Sequence, residues 1–213
     1  YDSVSLNLGT TFAQGIKISM DGTKLFVASF QPNVGIIPYT LSTPFAINTA
    51  TYDGSFLDTS SQDGLPRSVD LNGDGTKLFF AGQSNSSIYS YTLSTAYDLT
   101  TATYDNLSLS VASQDTRPYE VSVSPDGSKL VVLGDNSNSA FEYALSTPYD
   151  LSTASYSSLS FSFNAEASNS GANGLVFDAL GRRMYMLSSN NSTGPKNTVF
   201  QYSTEGSLSV ALP

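Results

Sequence analysis

The sequence predicts an all-β fold built from repeated four-stranded sheets, and three observations support this. The segment YTLSTPF at residues 39–45 recurs as YTLSTAY at 91–97 and as YALSTPY at 143–149, a period of 52 residues. Asp-Gly turn sequences recur nearly in step with it, and short runs that alternate apolar with polar residues flank them. A fixed period of about this length indicates a solenoid, a propeller or an array. Four antiparallel strands in about 50 residues form one propeller blade, and four such repeats predict a four-bladed β-propeller.

The second repeat shows the order of elements within one blade. Residues 68–71 alternate apolar and polar side chains, and residues 72–75, NGDG, predict a tight turn because glycine accepts the positive φ that closes it. Residues 77–82 form the second predicted strand and, after a polar loop, residues 88–93 form the third. In the fourth, residues 104–111, apolar residues alternate with serine, a pattern typical of a strand with one solvated face.

The predicted core lies between blades, where apolar side chains of the two inner strands of each repeat meet. On the innermost strands these residues are Ile16, Ile18, Val69, Leu71, Val121, Val123, Leu175 and Phe177. On the second strands they are Leu25, Val27, Leu78, Phe80, Leu130, Val132, Met184 and Met186.

The fourth repeat is degenerate, and the N-terminus supplies what it lacks. Residues 1–6, YDSVSL, match residues 104–109, YDNLSL, so the N-terminal strand is predicted to close the last blade. Closure would remove the exposed sheet edge. The result is a single domain over 1–213, with blades at roughly 12–62, 66–114, 118–166, and 174–205 plus 1–8. Because Tyr1 falls within a repeat and is not a methionine, we expect a segment upstream of it.

The C-terminus carries a further candidate strand, residues 206–212, which resembles the fourth strand of a blade. It is predicted either to add a fifth strand to the last blade or to pair with another molecule, since strand addition to a sheet edge is a common mode of assembly. The side chains of this candidate assembly strand are Ser207, Leu208, Val210 and Leu212.

Composition limits the classes of partner that the protein can bind and the kinds of catalytic group that it can use. The net charge of −9 disfavours nucleic acid and anionic membrane surfaces, and no apolar run is long enough to insert into a membrane. The chain has no cysteine, which excludes a disulfide framework. It also has no histidine, the commonest general base and neutral metal ligand. No metal, cofactor or catalytic residue is predicted.

The linkers between blades carry a recurring set of charges. Asp63 and Asp115 follow the same Ser-Gln dipeptide, and Arg67 and Arg117 come a few residues later. Such linkers lie on the face where the channel of a propeller opens, so these residues are candidates for binding a sugar or a peptide. The alternative is that they pair with one another and brace neighbouring blades.

Two loop features suggest further sites. The loops between second and third strands are rich in amides and carboxylates, and Gln83, Asn85, Asp135 and Asn136 are candidates for hydrogen bonding to glycan hydroxyl groups. An ordinary solvated loop would carry the same residue types. Residues 70–75 fit the first half of a calcium loop, but residue 81 is alanine where a bidentate glutamate is required, which favours a plain hairpin turn.

A family resemblance supports the fold. Residues 124–132, SPDGSKLVV, with GDNSNS at 134–139, resemble the repeats of YVTN and lactonase-like β-propellers, as do residues 19–28. The segment YALSTPYDLSTA at 143–154 departs from that family and is similar to repeats of propeller proteins on the surfaces of marine bacteria and phages. The resemblance implies that enzymes of the family rely on His and Arg, or on metal-ligating Glu and Asn, near the channel. Since this chain has no histidine, that activity is not expected to carry over.

These observations predict a non-catalytic extracellular protein on a cell or virion surface, structural or adhesive in role. Terminal strand pairing would assemble it into a homo-oligomer or polymer such as a fibre or sheath. The alternative is a glycan-binding, lectin-like propeller.

Overall fold

The computed structural model describes residues 3–9, 12–164, 171–178, 182–188 and 198–204. It confirms the predicted four-bladed β-propeller: four antiparallel sheets follow one another along the chain. The helical elements among these residues are short 3-10 turns at Ile47–Thr49, Leu99–Thr101 and Leu151–Thr153. No helix in this part of the chain has the length and apolar character needed to cross a membrane.

Each sheet is one blade, and its strands follow in sequence from the channel outward. Blade 1 comprises β1 (Ala13–Ile18), β2 (Lys24–Ser29), β3 (Gly35–Leu41), β4 (Ala50–Tyr52) and β5 (Leu57–Asp58), the last two both paired with β3. Blade 2 comprises β6 (Pro66–Leu71), β7 (Lys77–Gly82), β8 (Ser87–Leu93) and β9 (Ala102–Ser110). Blade 3 comprises β10 (Pro118–Val123), β11 (Lys129–Gly134), β12 (Ser139–Leu145) and β13 (Ala154–Ser162). Blade 4 comprises β14 (Ala172–Phe177), β15 (Arg183–Ser188) and β16 (Thr198–Ser203).

The Asp-Gly hairpins form as predicted between the two inner strands. In blade 2 the amide of Gly75, at φ +73°, donates to the Asn72 carbonyl at 3.1 Å. The Asp74 carboxylate accepts the amide of Thr76 at 2.9 Å, as expected for a turn that an aspartate organises. The Tyr97 ring lies directly over Gly75, where a Cβ would meet it at 2.5 Å. Asp74 therefore serves the turn, and the hairpin interpretation of residues 70–75 holds.

The core consists of side chains that pack from one blade onto the next. Between blades 1 and 2, Phe26, Ala28 and Ile36 pack against a face that includes the predicted core residues Val69, Leu71, Leu78 and Phe80. Equivalent clusters join blade 2 to blade 3 and blade 3 to blade 4. Of the predicted core residues, Ile18, Val123 and Phe177 are partly buried. Ile16 is 66% exposed and lines the channel cavity.

The junction between blade 4 and blade 1 differs from the other three. Strand β1 packs against β6, β6 against β10 and β10 against β14, whereas no packing of that extent joins β14 to β1. On blade 4, Val176 and Val199 are 59% and 62% exposed, since no other blade packs on that face among the residues that the structure describes.

The N-terminal segment covers the free face of blade 1. Leu6 and Leu8 pack on the cluster that contains Val27 and Tyr39, and the Tyr39 hydroxyl donates to the Leu8 carbonyl at 2.6 Å. Residues 3–9 carry no strand pairing with blade 4, which has three strands among the described residues. Residues 1–2 of the predicted closing strand lie outside the described residues, as does the candidate assembly strand at 206–212.

Candidate functional site

A cavity of about 450 Å³ opens where the innermost strands of all four blades meet, and it extends over the second and third strands of blade 4. Its wall is largely apolar, with Ile16, Val69, Val121 and Leu175 among the lining residues. The polar side chains that line it are those of Gln14, Lys17, Asp70, Glu120, Ser122 and Tyr185. They include one ammonium group and two carboxyl groups, on Lys17, Asp70 and Glu120. A largely apolar cleft with a few convergent polar groups is the usual form of a small-molecule site.

The repeat itself brings these polar residues together. Lys17, Asp70 and Ser122 occupy equivalent positions of β1, β6 and β10, since each pairs with the equivalent residue of the second strand in its own blade. Glu120 lies two residues before Ser122, and alternate residues of a strand share a face. The inner ring of the propeller therefore carries its charges at two adjacent levels.

A glycine allows the first two blades to approach closely at this ring. A Cβ on Gly15 would lie 2.7 Å from the Arg67 carbonyl oxygen and 2.8 Å from the Ser68 Cα, both backbone atoms of β6. No side chain fits at that separation, so β1 can pack against β6 only with glycine at this position. The close approach brings Lys17, two residues later, within reach of β6.

Asp70 is a buried carboxylate held from three directions. It is 4% exposed and accepts hydrogen bonds from the amides of Leu71 and Val123, both at 2.8 Å. The Lys17 ammonium lies 2.5 Å from its Oδ1, while 40% of the Lys17 side chain remains exposed. The ion pair thus bridges blades 1 and 2, and the amide of Val123 ties the same carboxylate to blade 3.

Glu120 is the unusual ionisable group of the channel. Burial, followed by the negative charge of Asp70, raises the pKa of its carboxyl from 4.5 to about 8. A hydrogen bond from the Ser68 hydroxyl opposes the rise without cancelling it. Glu120 is consequently mostly protonated at pH 7 and exchanges its proton within the range in which enzymes work.

The predicted linker aspartates organise the turns around them. Asp63 is 2% exposed and accepts the amides of Leu65 at 2.8 Å, Ser84 at 3.1 Å and Asn85 at 2.8 Å. Asp115 is 4% exposed and accepts the equivalent amides of Arg117 at 2.6 Å and Ser137 at 2.7 Å. Their carboxylates tie each linker to the loop of the following hairpin. A ligand-binding role for either aspartate stays a prediction.

The two predicted arginines occupy different environments. Arg117 forms an ion pair with Asp135 at 2.9 Å within blade 3. Arg67 instead donates to the side-chain oxygens of Gln83 and Gln14. In strand register the equivalent of Arg67 in blade 3 is Tyr119, because Ser68 corresponds to Glu120.

The two loop asparagines are exposed and make contacts within their own linkers. The Asn85 amide donates to the Gln62 carbonyl at 2.7 Å, and the Asn136 amide donates to the Thr116 hydroxyl at 2.7 Å. Their role in ligand binding also stays a prediction.

Sequence reasoning missed Lys17 and Glu120 as functional candidates. Aligning the innermost strands shows Lys17, Asp70 and Ser122 at one position, where a charge would face the channel. Neither the depth of Glu120 nor its nearness to Asp70 can be inferred from a single blade.

Comparison with solved structures shows the same fold. The chain is similar to a candidate 6-phosphogluconolactonase of Bacteroides uniformis at 13% identity and a TM-score of 0.58, over 94% of this chain and 56% of that one. It is also similar to the periplasmic gluconolactonase of Pseudomonas aeruginosa at 15% identity and a TM-score of 0.52, over 92% and 58%. A β-propeller domain from Myceliophteria thermophila matches at 11% identity and a TM-score of 0.53, over 87% and 53%. No family model and no curated protein matches the chain.

These similarities contradict the predicted non-catalytic role, because two of the three structures are described as lactonases. The expectation of a structural, adhesive or glycan-binding propeller is therefore wrong. The absence of histidine does not exclude acid–base chemistry in this chain, because burial raises the pKa of a carboxyl group in the channel, that of Glu120. The chain spans little more than half the length of these structures, and at this level of identity the similarity shows the fold alone.

Proposed function

We propose that this protein is a hydrolase that opens the cyclic ester of a sugar acid in its central channel. The observation that carries the proposal is Glu120, a carboxyl group with a pKa of about 8 that lines a cavity beside the Lys17–Asp70 ion pair. The gluconolactonase and candidate 6-phosphogluconolactonase with the same fold support this substrate class.

The residues fit the steps of lactone hydrolysis. In its ionised form Glu120 accepts a proton from water, and the oxygen of that water attacks the lactone carbonyl carbon. The Lys17 ammonium, partly exposed to the cavity, stabilises the negative charge that develops on the carbonyl oxygen. The ring C–O bond then breaks, and the proton held by Glu120 passes to the departing alkoxide. One lactone and one water yield one hydroxy acid.

Asp70 positions the ammonium group. It holds Lys17 by one ion pair and is itself fixed by two backbone amides, so the ammonium cannot swing freely in the channel. Its negative charge also keeps the pKa of Glu120 high, which places the change from acid to base within the neutral to alkaline range.

The test is hydrolysis of glucono-δ-lactone, followed by acid release in a pH-stat and corrected for the spontaneous reaction at the same pH. We expect E120Q to lower kcat by about 10²-fold or more, the usual contribution of a general base. K17M should lower kcat as well. D74N, which changes an exposed turn carboxylate in blade 2, should leave the rate unchanged.

Two results would overturn the proposal. One is a wild-type rate no faster than the buffer background with glucono-δ-lactone and a panel of γ- and δ-lactones of other sugar acids. The other is an E120Q variant with full activity.

We also propose that the protein acts outside the cytoplasm, as predicted from its composition. The periplasmic location of one structural neighbour supports this, together with a surface rich in Ser, Thr and Asn and a chain without cysteine. Fractionation of the native source with an antibody would test it, and recovery only with cytosolic markers would contradict it. The predicted homo-oligomer stays a prediction, which light scattering of the purified protein would test.

A further inference from the structure

A row of stacked side chains joins the first three blades. The rings of Phe12 and Phe30 stack with centroids 4.9 Å apart. The guanidinium carbon of Arg67 lies 5.7 Å from the Phe30 centroid and 4.9 Å from the Tyr119 centroid. The planar cation is therefore held between two aromatic rings, the geometry of cation–π contact.

Only some of the hydrogen-bond donors of the same guanidinium have partners in the described contacts. Its Nε donates a hydrogen bond to the side-chain oxygen of Gln83, and one terminal nitrogen donates to the side-chain oxygen of Gln14. A guanidinium carries five N–H groups in a rigid fork, so further donors remain on the terminal edge. Side-chain contacts thus fix the plane of Arg67 while part of its donor set stays available.

The charge of Arg67 is not neutralised within the described part of the chain. The ion pairs found there involve Lys17, Lys24, Lys77, Arg117 and Lys129. Both partners of Arg67 are neutral amides. Arg117, at the same face of the propeller, differs in that Asp135 balances its charge at 2.9 Å.

Arg67 is linked to the candidate catalytic carboxyl through its neighbours. It precedes Ser68, whose hydroxyl hydrogen-bonds to Glu120, and its ring partner Tyr119 precedes Glu120 in β10. Gln14, which holds Arg67, lines the cavity itself.

We propose that Arg67 binds a carboxylate of the ligand, and that the substrates of this channel are sugars bearing a carboxylate in addition to the reacting ester. That such sugars are substrates rests on the proposed function. The carboxylate-binding site itself is inferred only from the contacts of Arg67. A coplanar pair of N–H groups matches the two oxygens of a carboxylate. A monoanion is favoured over a phosphate dianion because the carboxylate of Asp70 lines the neighbouring cavity and the chain carries a net charge of −9.

Isothermal titration calorimetry at pH 7 tests this with unreactive probes: glucuronate, glucose 6-phosphate and glucose. We expect the wild-type protein to bind glucuronate at least tenfold more tightly than either other sugar. R67Q should lose that preference, while R117Q, the matched change at the neutralised arginine, should keep it. R67K should recover part of the affinity, because it restores the charge without the fork.

Wild-type binding of glucose as tight as that of glucuronate would overturn the inference even if R67Q failed to fold. Tighter binding of glucose 6-phosphate would show a phosphate site in place of a carboxylate site. Equal binding by R67Q and the wild type would show that Arg67 only stabilises the packing between blades. Hydrolysis of glucono-δ-lactone without any preference for glucuronate would leave the proposed function in place and remove this inference alone.

Discussion

The ammonium nitrogen of Lys17 lies 2.5 Å from the carboxylate of Asp70, so the innermost strands of two blades are joined by a charge pair inside the channel. The same carboxylate raises the pKa of Glu120 on the third blade. Three blades thus each contribute one ionisable group to a single electrostatic unit, and a change at one group alters the protonation of another.

The first prediction concerns that coupling. D70N removes the negative charge that raises the pKa of Glu120 and leaves the Lys17 ammonium without its partner, and both effects favour the ionised form of Glu120. We expect the pKa of Glu120 to fall from about 8. A carboxyl ¹³C NMR titration measures it, with the Glu120 signal identified by its loss in E120Q. D74N, in the turn of the same blade, serves as the control, and an unchanged midpoint in D70N would refute the coupling.

The second prediction concerns stability against pH. The unfolded chain releases the Glu120 proton near pH 4.5, whereas the folded protein holds it to about pH 8. Between those values the folded state binds more protons, so the contribution of Glu120 to the free energy of unfolding falls as the pH rises.

E120Q cannot ionise, so it should remove this contribution. We therefore expect E120Q to gain stability relative to the wild type as the pH rises from 5 to 8. Urea unfolding at both pH values measures the difference. The aspartates with lowered pKa values affect both proteins alike and cancel in the comparison. A constant difference across that range would show that Glu120 titrates normally.

The third prediction concerns the approach of β1 to β6. G15A places a methyl group 2.7 Å from the Arg67 carbonyl oxygen, and a backbone atom cannot move aside as a side chain can. We expect a loss of about 1–3 kcal/mol, typical of overpacking, and a longer distance between Lys17 and Asp70. Equilibrium unfolding measures the loss of stability. The pKa of Glu120 reports the change in distance, because the charges of both Lys17 and Asp70 act on it.

Gly174 provides the matched control for Gly15. It holds the equivalent position in β14, where a Cβ would meet the nearest atom, on Leu187, at 3.6 Å, which is ordinary contact. G174A should therefore change stability little. Equal losses in the two variants would contradict the close approach of β1 and β6.

The fourth prediction concerns the buried linker aspartates. D63A leaves three backbone amides without their acceptor, at Leu65, Ser84 and Asn85. We expect a loss of about 3 kcal/mol or more, since each buried unsatisfied group costs about 1–3 kcal/mol. D98A, which removes an exposed cap of the amide of Thr100, should cost only about 1 kcal/mol. Thermal and urea unfolding distinguish the two, and equal small losses would leave Asp63 available for ligands.

Much of the fold could be predicted because each blade is a local structure. Gly75 and Tyr97 take their turn conformations within a single repeat, and the alternation of Val69 and Leu71 identifies the face that packs on blade 1. Ile16 shows where this reasoning fails. Its repeat position predicts burial, but the neighbour that would cover it depends on how blade 4 meets blade 1, and at that junction the packing of the other blades is not repeated.

The candidate site could be predicted only in part. Asp63 and Arg67 were found because they recur in the linkers, yet the recurrence of Asp63 reflects a structural role for its carboxylate in the turn. Arg67 was grouped with Arg117 by spacing, although the strand register pairs it with Tyr119. Arg117 lies two residues before that position, and the two arginines therefore have different neighbours.

By itself the sequence determined the number of blades, the order of their strands, the turns and the lack of histidine and cysteine, because these depend on contacts within about 50 residues or on composition alone. Only the tertiary structure decided that Lys17, Asp70 and Glu120 form one site. They lie on three different blades, and the pKa of Glu120 depends on its burial and on its distance to Asp70, neither of which a linear pattern contains.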